Sequence, residues 1–138
     1  MANDKLAALR AAKAELDQKR QAEADDREVA LLELELKLEA DIGPRGHDWE
    51  IVEDDGHGEG PIAVQLGASV LQKRFEAELS SGKLKTSEDF ESYVLPCIVF
   101  PEKDKVQAIF DKRPFLITRC ANALAILYGV ARGDAAGK

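Results

Sequence analysis

The first 41 residues contain neither glycine nor proline, and Gly43-Pro44 then follows Ile42. These are the two residue types that break a helix most readily, so nothing in this run forces an interruption of a helix. Ala, Leu, Glu, Lys, Gln and Arg dominate the run, and they lose little side-chain freedom in a helix. Asn3 can cap the start, with Asp4 beside the positive end of the helix dipole. Glu15/Lys19, Glu23/Arg27 and Glu33/Lys37 stand four apart in the favourable acid-first order. Residues 1–42 are therefore expected to form a charged helical arm, about 60 Å long at 1.5 Å per residue.

The apolar pattern of the arm is interrupted. Leu6, Leu9 and Leu16 fit heptad a and d positions, but Lys13 occupies the intervening a, and Arg20, Glu23 and Arg27 continue the seam. A continuous coiled coil along the whole arm does not follow from such a seam. From Val29 onward two patterns coexist. Leu31, Leu34, Leu38 and Ile42 share a helix face, whereas Leu32, Leu34, Leu36 and Leu38 alternate as a strand would. The Glu, Lys and Leu content favours helix, and a strand is the alternative. An apolar stripe on an extended helix needs a cover: its own bundle, another copy, or a client protein. Leu31, Leu34, Leu38 and Ile42 are thus candidate partner-binding residues.

The texture changes after Pro44. Two β-prone segments, Trp49-Glu50-Ile51-Val52-Glu53 and Pro61-Ile62-Ala63-Val64-Gln65-Leu66, flank Asp54-Asp55-Gly56-His57-Gly58-Glu59-Gly60. They read as a small hairpin, which must pack on something to be stable. Trp49 at its entry is either a staple between hairpin and bundle or a partner anchor. Beyond it, Leu71, Phe75 and Leu79 line one helix ended by Ser80-Ser81-Gly82. Thr86 or Ser87 can cap the next, where Phe90, Tyr93, Val94, Cys97 and Ile98 keep helical spacing and Pro96 should kink or shorten it. Pro101 and Pro114 open two more helices, carrying Val106, Ile109 and Phe110, then Ile117, Cys120, Leu124, Leu127 and Tyr128. The expected fold is mainly α: a long N-terminal helical arm, a small β-hairpin, and a compact bundle of about four short helices. The division is an arm over 1–42, a hairpin-plus-bundle domain over 43–131, and a flexible glycine-containing tail over 132–138.

With 138 residues, 45% apolar and 33% charged, the chain has room for one domain and an appendage and reads as globular. No stretch approaches the roughly 20 apolar residues of a membrane span. The segment from Met1 to Arg10 has no apolar run of a secretory signal, which makes the cytoplasm the expected compartment. The net charge of −7 divides as −4 over residues 1–41, −5 over 42–65 and +2 over 66–138. The acidic half opposes a phosphate backbone and the remainder has no strong basic stripe, so nucleic acid is not an expected partner.

Candidate chemistry is sparse. His47 and His57 lie among Asp48, Glu50, Asp54, Asp55 and Glu59, yet without zinc-site spacing or the alternating ligands of a calcium loop, and a solvated turn is expected. Gly56, Gly58 and Gly60 have no following Lys-Ser/Thr, and acidic neighbours would repel phosphate. Cys97 and Cys120 fall on inward faces, where burial raises a thiol's pKa and leaves it inert. Phe100, Phe110 and Phe115 read as core residues, with a partner anchor as the alternative for one of them. No enzyme activity, cofactor or metal is expected.

From Gly43 to Val130 the order of features resembles the tail assembly chaperones of long-tailed bacteriophages. The resemblance rests on the short hairpin, on Lys73-Arg74-Phe75, on Ser87-Glu88-Asp89-Phe90-Glu91-Ser92-Tyr93-Val94-Leu95-Pro96-Cys97-Ile98-Val99-Phe100-Pro101, and on Phe110-Asp111-Lys112-Arg113-Pro114-Phe115-Leu116. It implies a protein of the host cytoplasm that binds the tape measure protein and keeps it soluble during tail assembly. Such a protein has other phage proteins as partners and is a possible homo-oligomer. The long arm departs from the family, whose members often start nearer the hairpin. The alternative is a virion structural protein of head, neck or decoration type, using its arm for subunit contacts.

Overall fold

A computed structural model describes residues 2–54 and 61–129. The loop at 55–60, which carries His57 and the glycine triplet, and the tail at 132–138 lie outside the described residues. The chain divides into two compact units, residues 1–40 and 41–138. It is mainly helical, with a long first helix, a small antiparallel sheet and a few short helices.

The first unit is helix α1, Ala2–Asp41, with Asp4 in its first turn. The glycine- and proline-free run is helical to its end, including 29–41, where the strand alternative is not taken. From residue 2 to 30 every side chain except Ala24 is exposed. In the last turns Leu34 and Leu38 are buried, and Leu31 and Ile42 are half-buried.

In the second unit, β1 (Trp49–Val52) pairs antiparallel with β2 (Ile62–Gln65), Trp49 opposite Gln65 and Val52 opposite Ile62. That is the expected hairpin. A third strand, β3 (Ile98–Phe100), then joins β2 on its other side, so the hairpin is part of a three-stranded sheet in the order β1-β2-β3. The helix expected through Ile98 stops early: α3 spans Ser87–Val94, and Pro96 sits in a single 3₁₀ turn over Leu95–Cys97. Proline has no N–H to continue the ladder, and the β-branched pair Ile98-Val99 favours extension. Thr86 caps α3 through a reciprocal box with Asp89.

Helices α2 (Ser69–Ser80), α3, α4 (Lys103–Lys112) and α5 (Phe115–Tyr128) complete the unit. The inner face of α5 (Leu116, Ile117, Cys120, Ala121, Leu124, Ala125) packs with Val52, Ile62 and Val64 of the sheet and with Phe75, Val94, Val106 and Phe110. Phe75 is the aromatic hub, with ring centroids 5.3 Å from Tyr93, 5.7 Å from Tyr128 and 6.4 Å from Phe90. Strand alternation sends Trp49, Ile51 and Ala63 to the opposite sheet face, and they are buried too. Gly67 is required by close approach: a Cβ there would lie 2.8 Å from Leu71 Cδ2 and 3.0 Å from Cys97 Sγ.

Candidate functional site

Trp49, a candidate anchor from sequence, is fully buried, and its indole N–H donates to the Gly43 carbonyl at 2.6 Å. It staples the entry of the hairpin to the turn that follows the arm. Leu34 and Leu38 are likewise buried, and Leu31 and Ile42 half-buried, so this stripe is not the most open apolar surface on the arm. The more open one was missed. Val29, Leu32 and Leu36, also at i, i+3 and i+7, are 54%, 50% and 67% exposed. Nearer the start, Leu6, Leu9 and Leu16 are exposed as well. Two leucine stripes with the same helical spacing interleave in one segment, and spacing alone does not tell which is covered.

The second surface is a groove of about 550 Å³ between β1 and α5. Residues 50–53 form one wall, and Thr118, Arg119, Asn122, Ala123, Ile126 and Leu127 form the other. β1 is the outer strand of the sheet, so half of its backbone groups turn away from β2. Several of these already have partners. The Gly46 N–H donates to the Trp49 carbonyl (2.8 Å), and the Ile51 N–H donates to Glu50 Oε1 (2.8 Å). Arg119 donates to the Glu53 carbonyl (2.8 Å), and Arg45 holds Glu50 in place (2.5 Å). The Trp49 carbonyl, the Ile51 N–H and the Glu53 carbonyl are thus occupied, which makes the edge a poorer template for an added strand. The groove offers aliphatic walls with a carboxylate and a guanidinium at its rim, which suits an apolar side chain flanked by polar groups.

At the far end of β1 stands a buried charge pair. Asp54 has a side chain 1% exposed. It accepts from Arg113 Nε at 2.9 Å and from Arg113 Nη2 at 3.3 Å. The Arg113 guanidinium also lies 4.5 Å from the centre of the Phe115 ring. This clamp ties the hairpin to the junction of α4 and α5, across 59 positions of sequence.

His47 is exposed and 3.3 Å from Asp48, while Asp55, His57 and Glu59 lie outside the described residues. Among the described residues no three His, Cys, Asp or Glu side chains stand together to hold a metal. Cys97 and Cys120 are buried free thiols. Burial pushes Cys120 up to about 12, and pushes Cys97 up against the smaller opposing effect of Tyr128, whose hydroxyl is 3.6 Å away. Burial raises Tyr128 too. Among the described residues no helix is long and apolar enough to cross a membrane. No family model, curated protein or solved structure matches the chain.

Proposed function

We propose that this chain is a tail assembly chaperone of a bacteriophage, acting by binding and not by catalysis, which holds the tape measure protein soluble in the host cytoplasm. The observation that carries the reading is the set of exposed leucines on a charged helix: Leu6, Leu9, Leu16, Leu32 and Leu36, with Val29. A holdase needs apolar surface to meet a client and dense charge to stay soluble while doing so. Fully burying three such side chains is worth roughly 1.5–3 kcal/mol each. Val29, Leu32 and Leu36 are only half to two-thirds exposed, so covering them is worth about half that sum, roughly 2–5 kcal/mol before ordering costs.

The test is co-expression with the tape measure protein of the same phage. Wild-type chain should raise the soluble fraction of that protein and copurify with it, and a Leu32→Glu/Leu36→Glu variant should do neither while retaining native circular dichroism. A tape measure protein equally insoluble with and without the chain would end the reading. The exposed helix over residues 2–30 also favours a virion structural protein whose arm contacts neighbouring subunits. Mass spectrometry of purified particles separates the two, since a chaperone leaves the finished virion and a structural subunit stays in stoichiometric amount.

A further inference from the structure

The interrupted seam of α1 has a property that its leucines do not reveal. With Leu6 at a and Leu9 at d, Lys13, Arg20 and Arg27 fall at a, Leu16 and Glu23 at d, and Lys19 and Asp26 at the flanking g positions. All of these side chains are exposed. Among the described residues, none of Lys13, Lys19, Arg20, Glu23, Asp26 and Arg27 is in an ion pair within the chain.

Two ways of pairing such a helix with a copy of itself have opposite electrostatics. In a parallel, in-register pair each seam residue meets its own copy, so Lys13, Arg20, Glu23 and Arg27 give four layers of like charge. In an antiparallel pair a positions meet d positions. When the two-fold axis passes between Gln21 and Ala22, Arg20 faces the second copy's Glu23 and Glu23 faces the second copy's Arg20. On the flank, Lys19 faces the second copy's Asp26, again twice by symmetry. Leu16 lies along the aliphatic stem of the second copy's Arg27, and Lys13 meets the small Ala30. Each charge on this part of the seam that repels its own copy in the parallel pair finds an opposite charge or an uncrowded neighbour in the antiparallel one.

We infer that two copies of this chain associate through an antiparallel pairing of their arms over residues 13–30, centred between Gln21 and Ala22. The overlap is about 27 Å long at 1.5 Å per residue. It leaves Val29, Leu32 and Leu36 on the side of the helix away from the seam. The contact is specific in orientation more than it is strong, since exposed ion pairs contribute little each and are screened by salt. The inference does not depend on the identity of any client.

Sedimentation of the full chain over a concentration series tests it. The expected result is a monomer–dimer equilibrium weakened as salt rises from about 0.05 M to about 0.5 M. Arg20→Glu alone and Glu23→Arg alone each turn two opposite-charge layers into like-charge layers, and each should weaken the dimer roughly tenfold or more. The double swap, Arg20→Glu with Glu23→Arg, restores both layers and should recover most of the affinity, with circular dichroism confirming that every variant keeps its helix. Spin labels at Asn3→Cys should lie about 55 Å apart in the antiparallel pair and about 10 Å in a parallel one. A chain that stays monomeric up to about 1 mM, a double swap as weak as either single variant, or the short label distance overturns the inference.

Discussion

The Asp54–Arg113 clamp makes an unequal prediction for its two halves. The Asp54 side chain is 1% exposed and that of Arg113 28% exposed. Replacing Arg113 with Met strands a carboxylate where water does not reach, and removing one member of a buried pair costs about 3–5 kcal/mol. Replacing Asp54 with Ala leaves a guanidinium that keeps its contact with Phe115 and can rehydrate on its open side. That loss is nearer the roughly 1.5–3 kcal/mol of hydrogen bonds to a charged group. The Asp54→Ala/Arg113→Met double variant no longer buries an orphan charge, so it should be more stable than Arg113→Met alone. Urea unfolding followed by circular dichroism measures all three, provided the slope against denaturant is unchanged. Against a domain stability of about 5–15 kcal/mol these differences are large. An Arg113→Met variant that loses no more stability than Asp54→Ala, or a double variant less stable than Arg113→Met, would refute the reasoning.

Three shorter predictions concern the thiols, the arm and the cap of α3. At about pH 8 a thiol reagent should modify Cys97 and Cys120 slowly in the native chain and rapidly in denaturant, because burial raises both above the ordinary thiol range; fast native labelling of both would contradict their burial. Removing residues 1–28 removes no buried side chain, so the thermal transition of the remainder should stay cooperative and nearly unshifted, and a broad non-cooperative melt would show that the arm is integral. Asp89 is held below its ordinary carboxyl range, chiefly by the backbone N–H groups of Lys85 and Thr86. Its contribution is therefore present above the unfolded carboxylate range and is lost as acid protonates it, so Asp89→Asn should flatten the acid limb of the stability curve below about pH 4.

Much of the architecture was legible because it rests on local rules. A run without glycine or proline made α1, Thr86 and Asp89 made the start of α3, and Ser80-Ser81-Gly82 closed α2. The third strand was not legible, and the reason is specific. Tyr93, Val94 and Cys97 are buried in the fold as a helical face would bury them, so the periodicity pointed at the right residues. It ran on past Pro96 into Ile98, where the chain instead turns and pairs with β2 at Val64. Pairing energy of that kind comes from a strand more than 30 positions earlier, and a window of sequence does not contain it. The clamp between Asp54 and Arg113 escaped for the same reason.

The arm shows a different limit. Leu31, Leu34 and Leu38 share their spacing with Val29, Leu32 and Leu36, which lie about 160° around the helix on nearly the opposite face, and helical periodicity rates the two stripes alike. What separates them is burial, a property of the folded chain. Charge on the seam behaves in the opposite way. Lys13, Arg20, Glu23 and Arg27 look like defects when the arm is measured against an apolar heptad, since each costs packing against a partner helix. Orientation changes their meaning: Arg20 and Glu23, which each repel their own copy in a parallel pair, face each other when one helix is reversed, while Lys13 and Arg27 move opposite Ala30 and Leu16. A polar seam can therefore trade strength for a choice of direction.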